Sequence, residues 1–440
     1  MSTFGTPKSV ALYERAKHVM PAGNTRHTVF RTPHQIYVER GEGCRIIDID
    51  GNSRIDAVGN FTSLIHGYGS EAIKAAAREQ LEKGFSFGMA TPGEVRLSEI
   101  LVERLPSVEH VRYCNSGTEA VMNAVKVARA FTGRAKIAKC EGAYHGAYDV
   151  VETSQEARPE NWGDVDAPNP VPTAAGTPQG VLDDVVIIPF NNVELGEKIL
   201  GAKGNDLAGV LIDVMPNRAG LVPATPEFLE MLRRVTKEIG ALLIFDEVIT
   251  FRLGYSGAQG RYGINPDVTA LGKIIGGGFP IGAVAGRKDV MAVYDPSNGA
   301  PKVQHGGTFS ANPMSMMAGI AVMEALTSEA FAHLEALGDR FETKITALFE
   351  ELVTEAQVTG MASLRRIHLN KAELSDFRST VLAGADGAKK VAALARLLFD
   401  EGVIIAANGL VCFSTPMTFG DIDEIIAAFA RALLQRFEYR

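Results

Sequence analysis

Short runs of β-branched and aliphatic residues alternate along the chain with longer stretches whose apolar positions recur at helical spacing. Near the N-terminus, 9–19 has a helical pattern, and 36–39 and 44–49 alternate like two strands around the turn Arg40-Gly-Glu-Gly43. A helix is predicted over 70–83. From about residue 95, strand candidates at 111–114, 136–139, 185–188, 207–212 and 241–245 are interleaved with helices, the clearest at 118–131 and 226–239. Such alternation implies a mostly parallel sheet covered on both faces, with ligands bound beyond the carboxyl ends of its strands. Asn115 and Asp246 stand at such ends.

After 308–313 the pattern changes. Helices at 314–326 and 329–353 are followed by strand candidates at 361–364, 403–406 and 410–413, and by a final helix from about 420. The expected architecture is α/β. Residues 65–325 form a large, mostly parallel sheet domain and 326–440 a smaller α+β domain, against which 1–64 packs. The stretch 153–180 stands apart, with five prolines and the only tryptophan, Trp162. A loop of this length is expected to be a lid or a border of an active site.

At 440 residues, two or three domains are the natural division. The net charge of −8 argues against nucleic acid or an anionic membrane as partner. The first residues do not read as a signal peptide, and no apolar run approaches the roughly 20 residues that span a bilayer. Cys44, Cys114, Cys140 and Cys412 are scattered without CxxC spacing, which suggests buried free thiols, no metal site and a cytoplasmic setting.

Asp246 ends an apolar run, and Lys273 follows 27 residues later inside Thr269-Ala-Leu-Gly-Lys-Ile-Ile-Gly-Gly-Gly278. Each alone has a bland reading, a turn cap and a solvated lysine. Together they suit pyridoxal phosphate, which needs an amine for its aldehyde and an anion to keep its ring nitrogen protonated. Asn115-Ser-Gly-Thr-Glu-Ala120 lies between a strand and a helix, where unpaired N–H groups and the Ser116 and Thr118 hydroxyls suit a phosphate. An ordinary serine N-cap explains the same residues. Tyr144 could lie on the face of an aromatic cofactor, with His145 beside it as a ligand or a plain hydrogen-bonded histidine. Val248 could close the other face. Gln304-His-Gly-Gly-Thr-Phe309 is a second glycine-rich turn, readable as a flexible loop or as further phosphate donors from a partner subunit.

Together these segments resemble the class III aminotransferases, of the fold-type I superfamily of pyridoxal phosphate enzymes, over nearly the whole chain from Met20-Pro-Ala-Gly23 onward. The resemblance implies Lys273 as the Schiff-base lysine and Asp246 as the ring-nitrogen partner. It also implies Ser116, Gly117 and Thr118 at the phosphate, Tyr144 on the ring, and Thr308 reaching the neighbouring site of a homodimer. Within the class, the chain is similar to glutamate-1-semialdehyde aminomutases and to β-amino-acid transaminases. Aminomutases carry a late arginine in PGGVxSPVRAF, whereas here Arg26 comes earlier in Pro21-Ala-Gly-Asn-Thr-Arg-His-Thr-Val-Phe30. They also carry DEVxTGFR, one residue longer than Asp246-Glu-Val-Ile-Thr-Phe-Arg252. Both departures are shared with the transaminases. β-Phenylalanine transaminases have an arginine where this chain has Asn408, and the usual Glu-Pro is replaced by Asp213-Val-Met-Pro216. The expected activity is amino transfer from a carboxylate-bearing amine, a β-amino acid, to a 2-oxo acid through a Lys273 aldimine. Arg26 would bind the carboxylate, with Arg218 as a second candidate. An aminomutase is the alternative; a racemase or a non-catalytic cofactor-binding protein is more remote.

Overall fold

The computed structural model describes residues 5–384 and 387–437. Its largest sheet has seven strands, in the spatial order His110–Cys114, Gly282–Gly286, Val268–Gly272, Leu242–Asp246, Leu207–Ile212, Lys136–Cys140 and Val185–Ile188. Gly282–Gly286 runs antiparallel to both its neighbours, and the pairs from Val268–Gly272 to Val185–Ile188 are parallel. Parallel strands hide both faces, and these strands are accordingly buried throughout most of their lengths. Helix Gly117–Thr132 covers one face through Val121, Ala124, Val125 and Ala128, packed with Leu211, Ile244 and Val268. Pro226–Ile239 covers the other through Phe228, Leu232 and Val235, against Val210 and Phe245.

A second layer is built from both ends of the chain. Val38–Glu42, Arg45–Asp48 and Ser53–Asp56 form an antiparallel sheet that Val403–Ile404 joins in parallel. Gln357–Met361, Leu364–His368 and Leu410–Cys412 form a three-stranded antiparallel sheet. Helices Ser328–Glu351, Gly387–Asp400 and Phe419–Phe437 share one core with Ile55, Ala57 and Val403.

Three local expectations need correction. The first hairpin turns at Gly43-Cys44, since Glu42 pairs with Arg45. Gly41 is glycine for another reason: a Cβ there would lie 2.3 Å from the Tyr68 ring. The run 361–364 is not a strand but the turn between two, with Met361 opposite Leu364 and Ala362 at φ +51°. The first helix spans Pro7–Ala16 rather than 9–19.

The stretch 153–180 is folded in as a wall. Trp162 is buried, edge-on to Phe377 with ring centroids 6.5 Å apart, and the Arg378 guanidinium lies 4.7 Å over its ring. Ser154 and Val171 exchange hydrogen bonds that close the segment on itself. Among the described residues no helix is long and apolar enough to cross a membrane.

Candidate active site

A cavity of about 370 Å³ opens at the carboxyl edge of the large sheet, within the range of small-molecule sites. Its floor is set by strand ends. Asp246 terminates Leu242–Asp246 and takes a hydrogen bond on Oδ2 from His145 Nδ1 at 2.8 Å, while Val248 N–H donates to Oδ1 at 3.1 Å. Burial holds the His145 imidazole below its ordinary pKa, partly offset by Asp246, so the neutral ring donates through Nδ1. His145 Nε2 is buried without a hydrogen-bond partner. A second carboxyl, Asp213, lines the same cavity, and burial together with the Asp246 charge pushes its pKa well up.

Lys273 follows Gly272, the last residue of Val268–Gly272, in left-handed backbone at φ +50°. A lysine in that region is strained, so the position of its amine is imposed by the packed turn around it. Burial lowers its pKa to about 8, against the pull of Asp246 and Asp213. Its Nζ donates to Thr62 Oγ1 at 3.3 Å.

The cavity is also lined by the N-terminus of Gly117–Thr132, where free N–H groups and the helix dipole favour an anion. Ser116 does cap this helix, its Oγ accepting from Glu119 N–H at 3.2 Å. Thr118 Oγ1 accepts from Ala147 N–H at 3.2 Å. Gly117 is required by close packing: a Cβ would stand 2.8 Å from Val248. Tyr144, 46% exposed, offers its ring to the cavity. An anion-receptive helix end, the Tyr144 ring and the Val248 side chain, a buried carboxylate at Asp246 and an amine of lowered pKa are the groups pyridoxal phosphate requires.

Two arginines contact residues of the lining without being among them. Arg26 Nη1 donates to Asn60 Oδ1 at 2.9 Å, and Asn60 lines the cavity. Arg218 is paired with Glu156 from the 153–180 wall, and its guanidinium lies 5.3 Å over the Tyr144 ring. It therefore braces Tyr144 as well as carrying charge. Asn408 lies away from the cavity lining; its carbonyl accepts from Arg366 Nε at 3.0 Å. Thr308 is exposed on the surface of the chain and is not among the lining residues.

Sequence reasoning missed Asn60, Ser63 and the contact of Thr62 with Lys273. Asn60 and Thr62 belong to Gly59–Thr62, a single left-handed helical turn with φ of +48° at Asn60, +54° at Phe61 and +74° at Thr62, and Ser63 follows it in right-handed backbone. Each such non-glycine residue costs on the order of 1 kcal/mol. No hydrophobic pattern signals such a turn.

The family model for class III aminotransferases matches residues 28–433. The chain belongs to this family. It is 36% identical to a glutamate-1-semialdehyde 2,1-aminomutase of Staphylococcus epidermidis, over 97% of this chain and 98% of the relative. Among solved structures it is similar to an omega-transaminase from Sphaerobacter thermophilus, at 45% identity, TM-score 0.95 and 98% coverage of each chain. It also resembles a β-phenylalanine aminotransferase from Variovorax paradoxus, at 33% identity, TM-score 0.86 and coverage of 97% and 93%. This aminotransferase is a pyridoxal-phosphate-dependent transaminase of fold-type I.

Proposed function

We propose that this aminotransferase moves the amino group of a β-amino acid, or of an amine with a similarly placed carboxylate, to a 2-oxo acid. The observation that carries the reading is Arg26, hydrogen-bonded to Asn60, which lines the cavity together with Lys273 and Asp246. A guanidinium there can pair with a substrate carboxylate while the amine-bearing carbon lies deeper, near Lys273. The similarity to an omega-transaminase and a β-phenylalanine aminotransferase supports the same substrate class.

When bound, pyridoxal phosphate supplies an aldehyde that condenses with amines and a ring that accepts the electron pair left by the departing proton. Ser116, Gly117 and Thr118 hold the phosphate at the helix N-terminus, and Thr308 adds a hydroxyl from the partner subunit of a homodimer. Tyr144 and Val248 confine the ring. Asp246, oriented by His145, keeps the ring nitrogen protonated. Lys273 would supply the amine that holds the cofactor at rest, and its freed Nζ would take the proton from the amine-bearing carbon of the donor and, as ammonium, pass it to the cofactor side instead of back to that carbon. A lysine whose pKa lies near 8 performs both halves of that transfer near neutral pH. The four buried thiols carry no disulfide, which supports a cytoplasmic setting.

The test is an amine-donor screen with pyruvate and 2-oxoglutarate as acceptors, beside Lys273→Ala. β-Amino acids are expected to turn over, and Lys273→Ala to lose the visible absorption of lysine-linked cofactor. Activity confined to amines without a carboxylate would overturn the substrate reading. The similarity to aminomutases keeps a second reading, intramolecular amino transfer on glutamate 1-semialdehyde. Rapid isomerisation of that compound without added 2-oxo acid would establish it over the first.

A further inference from the structure

The turn Gly59–Thr62 has the wrong hand for L-residues and is held at both ends. At its entry Asp56 Oδ1 accepts from Val58 and Gly59 N–H at 2.9 and 3.2 Å, and Tyr68 donates to Asp56 Oδ2 at 2.6 Å. The turn is closed by Thr62 N–H to Val58 carbonyl at 2.8 Å and Leu64 N–H to Gly59 carbonyl at 3.0 Å. At its exit the buried Arg252 guanidinium donates to Thr62 carbonyl at 2.9 Å and to Ser363 Oγ at 3.1 Å. Strain that the surroundings impose so firmly points to a function of the side chains it aims.

Those side chains go two ways. Asn60 faces the cavity and holds Arg26 Nη1, whereas Thr62, 1% exposed, places its hydroxyl 3.3 Å from Lys273 Nζ. Asp246, Asp213 and Cys412 act on that amine in favour of the ammonium, and Arg252 acts against it. Neither carboxylate has a hydrogen bond to Nζ among those described, so the hydroxyl is the group that fixes the direction of the amine.

We propose that Thr62 is a positioning residue that holds the Lys273 amine between proton transfers, and that the left-handed turn ties this hold to the substrate-selecting Arg26. An amine that donates one N–H to Thr62 Oγ1 keeps its lone pair free for the substrate carbon. The rigid turn makes a shift of Arg26 on carboxylate binding felt two residues away, at Thr62. The inference rests on the role of Lys273 proposed above.

The test uses the holoenzyme of Thr62→Val, which keeps the shape without the hydroxyl, and of Thr62→Ser, which keeps the hydroxyl. With a saturating β-amino acid, Thr62→Val is expected to retain cofactor absorption and donor KM but to lose about tenfold in single-turnover rate. Because an accepting oxygen favours the protonated amine, its loss should move the acid limb of the pH–rate profile to lower pH. Thr62→Ser should restore both rate and profile. Should Thr62→Val not fold, Thr62→Ala carries the same expectation. A native rate and unmoved limb in the variant without hydroxyl, or a serine variant as slow as valine, would overturn the positioning role. Arg26→Ala should slow turnover less in the Thr62→Val background than in the native chain; strict multiplicativity would refute the link. Lys273→Ala separates the two levels. If it retains lysine-linked absorption, the functional reading itself fails. If it loses that absorption while Thr62→Val behaves as native, only the present inference fails.

Discussion

At Lys273 two opposing influences meet: burial, which favours the neutral amine, and the nearby carboxylates Asp246 and Asp213, which favour the ammonium. Burial prevails and leaves the pKa at about 8. The base is the unprotonated form, so the turnover rate at saturating donor is expected to rise with pH up to a plateau above about 8. Below that point it should fall about tenfold per unit. Stopped-flow half-reactions across pH 6–10 check this; a rate independent of pH through 8 would remove Lys273 as the base. The role proposed for Arg26 rests on its charge. Loss of a charge-assisted pair costs about 1.5–3 kcal/mol, so Arg26→Ala should raise KM for carboxylate-bearing donors by about 10- to 100-fold. Donors without a carboxylate should be little affected, and equal effects on both would remove its assigned role. Asp246 and Lys273 were legible because a strand-end acid and a glycine-flanked lysine are visible in one dimension. The partner of each, His145 and Thr62, is 101 and 211 residues away, where spacing has no meaning.

At the scale of elements, the wall 153–180 depends on one arginine from the second half of the chain. Arg378 donates to both oxygens of Glu141, at 2.7 and 3.1 Å, and to the carbonyls of Trp162 and Gly163. Glu141 is 2% exposed, and burial already raises its pKa. Arg378→Ala leaves that carboxylate unpaired and is expected to destabilise the fold by about 3–5 kcal/mol. A chemical-denaturation midpoint would register this, and limited proteolysis should cut first within the released wall. A midpoint within error of native would show that the clasp contributes nothing. The length and composition of this stretch suggested a lid or an active-site border; none of its residues lines the cavity, and it approaches the site through Glu156, paired with Arg218. What makes it a wall is packing of Trp162 on Phe377, and no local pattern encodes that contact.

At the scale of the molecule, the chain leaves an apolar group exposed beside Thr308. Phe85, Met89 and Phe309 are 63, 86 and 60% exposed, and Asn312 joins the two loops by donating to Phe85 carbonyl at 2.9 Å. Sedimentation is expected to give twice the chain mass, and Phe85→Glu with Phe309→Glu to give monomers of lowered cofactor affinity. A native chain that sediments as a monomer with full cofactor affinity would reject the shared site. Alternating strands and helices were sufficient for the α/β class, because burying a parallel sheet on both faces imposes hydrophobic periodicities that a sequence displays directly. The glycine-flanked lysine, the strand-end acid and the serine-capped helix start, for which the roles of nucleophile, ring-nitrogen partner and phosphate site are proposed, were equally legible as residues, since each is a local pattern beside a strand end. Only the tertiary structure decided which groups face these residues. The left-handed turn at Gly59–Thr62, the Glu156–Arg218 pair over Tyr144 and the second carboxyl at Asp213 arise where distant segments converge. Their energies depend on separation in space and on exclusion of water, and neither quantity is written in the order of residues along the chain.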